Sequence, residues 1–399
     1  MSAAARPPGP RRVAVVHDWL VTYAGSERVL EQILRVFPDA DLFAVVDFVP
    51  EAERAFLGGR RPRTTFVQRL PLARSRHRGY LPLMPLAIEQ LDLTGYDLVV
   101  SSSHAVAKGV IAGPDALHVC YCHSPLRYAW DLQPAYLREA GLGWGPRGLA
   151  ARALLHRLRQ WDATSANRVD HFVANSAFIA RRIAKAYRRD AEVVYPPVDT
   201  EAFAPEPAGG AGASPRGDYY VTSSRFVPYK RVPMIAEAFR GLPGRRLVVV
   251  GDGPEREAVR RAAGPNVELV GHLPRGELLA VLRGARAYLF AAVEDFGIAP
   301  VEAQACGTPV VAYRGGALPE TVPGLDAPEP CGVLYDAQTA EGLRAGIAAF
   351  EAAGARIRGD ACRRNAERFG AERFRREFAA LVARRWAGFD AARRAAPAG

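Results

Sequence analysis

In EDFGIAPVE, Glu294 and Glu302 stand eight residues apart, with Gly297 between them and Pro300 two residues before the second acid. Carboxylates accept hydrogen bonds, and a vicinal diol offers two donors. Two acids flanking a helix start therefore suit one ligand with two hydroxyl-bearing parts, such as a sugar ring and a ribose. The amides of Phe296, Gly297 and Ile298 would face the same ligand. Pro300 fits the first helical position, where its missing N–H costs nothing. Glu302 would then be third, a place that the helix dipole and a capping box favour anyway. Glu294 precedes the turn and has no such explanation.

Arg225 and Lys230 lie five apart in SRFVPYKRVP, after the strand-like run Tyr219–Ser223 and before a helix expected from Val232 or Pro233. Two cations beside a helix N-terminus suit a diphosphate; the competing reading is a pair of solvated loop cations. The run Leu247–Val250 ends in GDGP, Gly251–Pro254, where glycine lets the backbone approach a ligand or merely turn. His17, His104 and His123 each follow a strand-like run, although a lone loop histidine is more often structural. Asp39-Ala40-Asp41 has the spacing of a metal-binding D-x-D, but between Phe37-Pro38 and a strand it reads as a polar turn. Cys120, Cys122 and His123 form C-x-C-H with no second cluster to complete a metal site, so they read as buried strand residues. No strand leads into G-x-G-x-x-G, and no P-loop occurs, which leaves a dinucleotide dehydrogenase without a motif.

These residues need a scaffold of alternating strands and helices. At 399 residues the chain exceeds one ordinary core, so two domains are expected. Near-continuous apolar runs at Val13–Val16, Leu42–Val46, Tyr96–Ser101, Leu117–Cys122, His171–Ala174 and Glu192–Tyr195 alternate with helical patterns such as Glu27–Val36 and Ala177–Tyr187. That is the signature of a parallel sheet covered on both faces. Pro205–Asp218, rich in Pro, Gly and Ala, reads as a linker. The alternation resumes at Tyr219–Ser223, Leu247–Val250, Val267–Val270, Ala287–Ala291 and Pro309–Ala312. The expected division is 1–204, linker 205–218, 219–370, and an arginine-rich helical segment 371–399 that could pack on the first domain. Ligands of open α/β sheets sit at the carboxyl ends of the strands, where the residues above fall.

The net charge of +11 points to an anionic partner. Three lysines occur, and the other cations are arginine. No helix-turn-helix, zinc-finger or RNP pattern is present, so nucleotide phosphates or anionic headgroups are favoured over nucleic acid. Five scattered cysteines fit a reducing cytosol. No apolar run is long enough to span a bilayer, and the first residues lack a secretory h-region.

EDFGIAPVEAQACGTPVVAYRGGALPETV resembles the signature of retaining glycosyltransferase family 4, which has the GT-B fold. VAVVHDWL, GSERVLEQI, SSSHAVAKGV, CYCHSPLRYAWD, VYPPVD, SRFVPYKR and VVGDGP follow that family's landmarks in order, from about Val13 to Val322. They are most similar to its bacterial branch that builds surface polysaccharides, often from GDP-mannose. The resemblance implies an α/β protein of two doubly wound Rossmann-like domains facing each other across a cleft. Glu294 would contact donor-sugar hydroxyls, and Phe296, Gly297 and Ile298 would offer amides to the sugar and diphosphate. Glu302 would hold the ribose, and Arg225 and Lys230 the diphosphate, with Gly251 nearby. Gly25, before a helix expected over Ser26–Val36, would let the first domain close on the donor, and His123 would face the sugar. The family commonly has two adjacent glycines where Ala24-Gly25 stands, so a Cβ at 24 could crowd a phosphate or strain φ.

The implied reaction transfers a hexose from a nucleotide-diphosphate sugar, with mannose from GDP-mannose the leading choice and a UDP-hexose the alternative. No cofactor and no metal is expected, since the cation pair can do the work of a divalent ion. Non-transferase readings are a GT-B epimerase or phosphorylase, or a non-catalytic nucleotide-sugar-binding scaffold. The acceptor is expected to be a glycan or lipid-linked hydroxyl. Arg69–Pro85 and Arg147–Trp161 combine arginines with apolar residues. The second reads equally as a core helix or as one lying on an anionic membrane at the inner face.

Overall fold

The computed structural model describes residues 9–206 and 217–395. The chain forms two compact units. One takes the chain up to Tyr195 together with the residues from Phe374 onward; the other is Pro196–Arg373. The change falls at Pro196, ahead of the stretch expected as the linker. Residues 196–206 are tied into the second unit: Val198 bridges Gly370, and Arg363 donates to the carbonyls of Thr200 and Phe203. Most of the expected linker, 207–216, lies outside the described residues.

The first unit holds a seven-stranded parallel sheet of β1 (Val13–Leu20), β2 (Asp41–Asp47), β3 (Arg63–Thr64), β4 (Leu98–Ser103), β5 (Leu117–Cys122), β6 (His171–Ala174) and β7 (Ala191–Val193), in the order β3-β2-β1-β4-β5-β6-β7. Every residue of β4 and β5 is buried, as their unbroken apolar runs require. The helix Ala371–Ala395 adds Phe374, Phe378, Leu381, Val382 and Trp386 to this unit's core, beside Val29, Ile33 and Tyr121. Strand β1 runs four residues beyond the expected Val16, so His17 lies inside it and not after it.

The second unit holds a six-stranded parallel sheet of β8 (Tyr219–Ser223), β9 (Arg246–Val250), β10 (Val267–Gly271), β11 (Ala287–Phe290), β12 (Val310–Tyr313) and β13 (Gly332–Tyr335), in the order β10-β9-β8-β11-β12-β13. β13 had no sequence signal, because its four residues open on glycine just after a proline-rich run.

In each sheet the order reverses between the first strand and the fourth, at β1/β4 and at β8/β11. Connections there leave the sheet in opposite directions and open a crevice at the strands' carboxyl ends. The candidate site residues gather at these two points.

Candidate functional site

In the second unit, β8 runs into Ser224–Arg225–Phe226. The chain is held by Phe226, whose ring is buried and whose amide donates to the Asp252 carbonyl at 2.9 Å. Arg225 is exposed beside it. Gly251 packs backbone to backbone against this loop: at φ +125°, a Cβ there would lie 1.9 Å from the Ser224 carbonyl oxygen. Its glycine is thus required by the Arg225 loop itself, a nearer reason than approach to a ligand. Lys230 closes the short 3-10 turn Pro228–Lys230, and the helix Val232–Arg240 follows.

From the neighbouring β11 the chain enters the acidic stretch. Glu294 Oε1 lies 2.5 Å from Lys230 Nζ, with both side chains about four-fifths covered. Burial pushes the Lys230 ammonium toward neutrality, but the Glu294 carboxylate outweighs it, and the pKa ends above the ordinary lysine value. The ammonium also stands 5.5 Å from the centroids of the Phe290 and Tyr229 rings. The backbone of Glu294 is fixed by a bridge to Gly316 and by the Ala317 amide, which donates to its carbonyl at 2.9 Å.

Gly297 caps the helix Ile298–Ala305 in a left-handed conformation, φ +85°. This corrects the expected start: Pro300 is the third helical residue, not the first, and Glu302 the fifth. Pro300 still sits among the first four amides, which have no intrahelical acceptor, so it costs no bond. Glu302 lies too deep for a capping box, so that explanation of it lapses. The Phe296 ring is buried edge-on against Phe369, 5.3 Å between centroids, which holds the turn onto its own core. Buried Tyr288, on β11, donates to the Ser223 carbonyl at 2.8 Å. Burial raises its pKa; Lys230 opposes that rise and Glu302 adds to it, so both charges act on this hydroxyl. The structure therefore collects Lys230, Glu294 and the Gly297 cap around the ends of β8 and β11, with Glu302 in the helix that follows. Sequence reasoning missed Tyr288 and Phe290, which look like ordinary strand aromatics.

In the first unit, His17 on β1 pairs in register with Ser102 on β4. The His17 Nδ1 lies 3.1 Å from Ser102 Oγ, which lies 2.8 Å from His123 Nε2. The His123 backbone is held by Asn175, whose amide donates to its carbonyl at 3.0 Å. Fully buried Asp18 accepts four backbone amides, from His104, Ala105, Val106 and Ala107, at 2.6 to 3.0 Å. It also sits 3.1 Å from His104 Nδ1. Burial holds His104 and His123 below the ordinary histidine range. The three histidines thus form one cluster, although each looked isolated in sequence. The buried polar run Ser101–Ser103 was the available signal.

Gly25 opens the helix Gly25–Val36, one residue earlier than expected. Ala24 before it has φ −131° and ψ −155°, extended backbone that alanine adopts without strain. Its amide donates to Glu27 Oε2 at 3.0 Å.

Other candidates have structural roles. Cys120 and Cys122 are buried on β5, and among the described residues no group of three His, Cys, Asp or Glu is placed to hold a metal. Asp41 begins β2 and accepts from the Tyr96 hydroxyl. In the helix Pro146–Ser165, Leu154, Leu155, Leu158 and Trp161 pack on the first unit's core, which favours the core-helix reading. Among the described residues no helix is long and apolar enough to cross a membrane.

Two parallel Rossmann-like units, each with polar residues at its strand-order reversal, define the GT-B class of α/β proteins. The chain belongs to the glycosyltransferases: residues 23–202 match Glycosyltransferase Family 4, and residues 211–369 match Glycosyl transferases group 1. It is 34% identical over 210 residues to a D-inositol 3-phosphate glycosyltransferase of Segniliparus rotundus, covering 47% of this chain and 46% of that one. It is also 34% identical over 209 residues to a GDP-mannose-dependent alpha-(1-6)-phosphatidylinositol monomannoside mannosyltransferase of Mycolicibacterium smegmatis, covering 45% and 52%. The chain spans about half the length of these curated relatives. In fold it resembles Anabaena HepE in complex with UDP, with TM-score 0.64 and 17% identity over 93% of this chain and 99% of that one. It also resembles sucrose-phosphate synthase of Thermosynechococcus elongatus, with TM-score 0.68 and 18% identity over 95% and 100%.

Proposed function

We propose that the protein is a retaining glycosyltransferase that moves a hexose, mannose from GDP-mannose in the leading reading, from a nucleotide-diphosphate sugar to a hydroxyl acceptor. The observation that carries this is the Lys230–Glu294 pair at the β8/β11 reversal, beside the exposed Arg225 and the Gly297 helix cap. Lys230 and Arg225 neutralise the diphosphate, and charge on the departing phosphate is met by cations already in place. Glu294 accepts from sugar hydroxyls, Glu302 accepts from the ribose, and the amides of Gly297 and Ile298 add donors at the helix N-terminus. By the family resemblance, Gly25 and His123 of the first unit would also serve the donor. No metal takes part in this scheme.

GDP-mannose leads because the Mycolicibacterium smegmatis relative is a GDP-mannose-dependent mannosyltransferase. A UDP-hexose is the second reading, since HepE was solved with UDP-glucose. The acceptor is a glycan or a lipid-linked hydroxyl, in the synthesis of cell-surface polysaccharide on the cytoplasmic side. Peripheral contact with an anionic membrane is assigned to Arg69–Pro85. Leu72 and Leu83 are exposed there, and Leu86 just after it, among the exposed Arg69, Arg74, Arg76 and Arg78.

A panel of nucleotide sugars in a thermal-shift assay tests the reading, because a ligand of the native state raises the melting temperature with its concentration. The expected result is a dose-dependent rise with one nucleotide sugar, and turnover of that donor that is lost in Glu294→Ala. Equal donor turnover in wild type and Glu294→Ala would instead favour a non-catalytic binding protein.

A further inference from the structure

In the first unit a hydrogen-bond chain runs from His17 through Ser102 to His123, with the Glu27 carboxylate beside its His17 end. Glu27 is buried, and its Oε2 is occupied by the Ala24 amide and the Ser26 hydroxyl, both at 3.0 Å. Its Oε1 faces His17 Nε2 at 3.6 Å. From His17 the chain continues through Nδ1 to Ser102 Oγ at 3.1 Å, and from Ser102 to His123 Nε2 at 2.8 Å. A neutral imidazole has one donor and one acceptor nitrogen, and a hydroxyl has one proton, so the chain can run in two directions only.

We propose that Glu27 fixes the direction: it draws the His17 proton to Nε2, and His123 is thereby locked as the Nε2–H tautomer. At 3.6 Å the contact is too long for a hydrogen bond, but the negative charge of the carboxylate favours a hydrogen over a lone pair on Nε2 of a neutral His17. Nδ1 of His17 then accepts from the Ser102 hydroxyl, which has spent its only proton and must accept from His123. His123 therefore donates through Nε2 and keeps Nδ1 as a bare acceptor. The direction requires a neutral His17: an imidazolium would donate through both nitrogens, and Ser102 would then donate to His123.

Glu27, His17 and Ser102 are positioning residues in this scheme. Resting on the transferase reading above, the consequence is that His123 can accept from a substrate hydroxyl through Nδ1 and cannot donate through it. Hydroxyls presenting a hydrogen are selected; an ether or carbonyl oxygen in the same place is not.

The test is long-range nitrogen–proton NMR of the histidine rings in the full chain without ligand at pH 7.5, with His123→Asn and His17→Asn spectra for assignment. His118 serves as an internal reference of opposite tautomer. Its Nδ1 lies 3.0 Å from the Arg168 carbonyl, which can only accept, so it must be Nδ1–H. Wild type should show Nε2–H at both His17 and His123. Ser102→Ala should lose the single-tautomer pattern at His123 while His17 keeps it; Glu27→Gln, nearly isosteric, should lose it at both. Nδ1–H at His123, or imidazolium at His17 or His123, in wild type would overturn the proposal, even if neither variant folds. So would an unchanged His123 pattern in either folded variant. Because no substrate is present, a protein that bound no nucleotide sugar would sink the transferase reading and leave this measurement standing.

Discussion

Lys230 Nζ and Glu294 Oε1 meet at 2.5 Å, one from the loop after β8 and the other from the loop after β11. The two residues proposed to hold opposite parts of the donor pair with each other in this structure. Under the proposed assignment, donor binding would exchange this bond for two others, from Lys230 to phosphate and from Glu294 to a sugar hydroxyl. The substitutions should therefore separate. Lys230→Met should weaken binding of the nucleoside diphosphate alone by one to three orders of magnitude, corresponding to about 1.4–4 kcal/mol. Glu294→Gln should leave that affinity unchanged or raise it, because it frees the lysine, yet lower turnover about a hundredfold. Calorimetry with the nucleoside diphosphate beside a turnover assay checks both. Equal loss of diphosphate affinity in the two variants would refute the exchange.

Gly316 sets the position of Glu294 from outside the motif. It has φ +66°, and a Cβ on it would lie 2.2 Å from the Glu294 carbonyl oxygen. Gly316→Ala should push the Glu294 backbone away, and a displacement near 1 Å at such a site costs about a hundredfold in rate. The expected result is a fall in kcat with far-UV circular dichroism unchanged.

Lys108 is buried in the first unit. Its ammonium is 2.8 Å from Asp162 Oδ1, 2.7 Å from Ser165 Oγ, and within 5.2 Å of the Trp161 and Tyr187 ring centroids. Asp162 Oδ2 also accepts from Trp130 Nε1 at 2.7 Å and from the Tyr187 hydroxyl at 2.9 Å. Lys108→Met leaves a buried carboxylate without its counter-charge and should cost about 3–5 kcal/mol. Adding Asp162→Asn should restore part of that loss. Urea denaturation of both variants reads the difference.

His118 predicts acid sensitivity. Burial lowers its pKa to about 4, below the ordinary 6.5 that the unfolded chain shows. Between those values the unfolded state binds a proton that the folded state refuses. The stabilisation is complete above pH 6.5, falls as pH drops from 6.5 toward 4, and is gone below 4. One proton corresponds to a slope of up to about 1.4 kcal/mol per pH unit. His118→Gln, which can keep a donor and an acceptor, should flatten the urea midpoint across that window by one proton's worth.

If Arg69–Pro85 meets an anionic bilayer, the wild type should co-sediment with phosphatidylglycerol vesicles and not with phosphatidylcholine vesicles. Paired Leu72→Asp and Leu86→Asp changes at these exposed positions, 64% and 54% accessible, should abolish that binding without shifting the melting temperature. Binding unaffected by the pair would remove the assignment.

Much of the fold was legible because a buried parallel strand leaves an unbroken apolar run. The runs Leu117–Cys122, His171–Ala174 and Tyr219–Ser223 coincide with β5, β6 and β8. Strand ends were less legible: β1 carries two polar residues, His17 and Asp18, that are wholly buried. Only contacts from elsewhere make polar residues affordable inside a sheet, and Ser102 and the His104–Ala107 amides are eighty or more positions away.

The sequence by itself determined the alternation of strand and helix, the spacing of Glu294 and Glu302, and the family, because these depend on residue types along short stretches. Tertiary structure decided which residues act together. It set Lys230 against Glu294, tied the Tyr288 hydroxyl to the Ser223 carbonyl, and joined His17, Ser102 and His123 into one chain beside Glu27. The physical reason is strand order: placing β8 beside β11 and β1 beside β4 brings distant loops within hydrogen-bond range, and no local pattern encodes that adjacency.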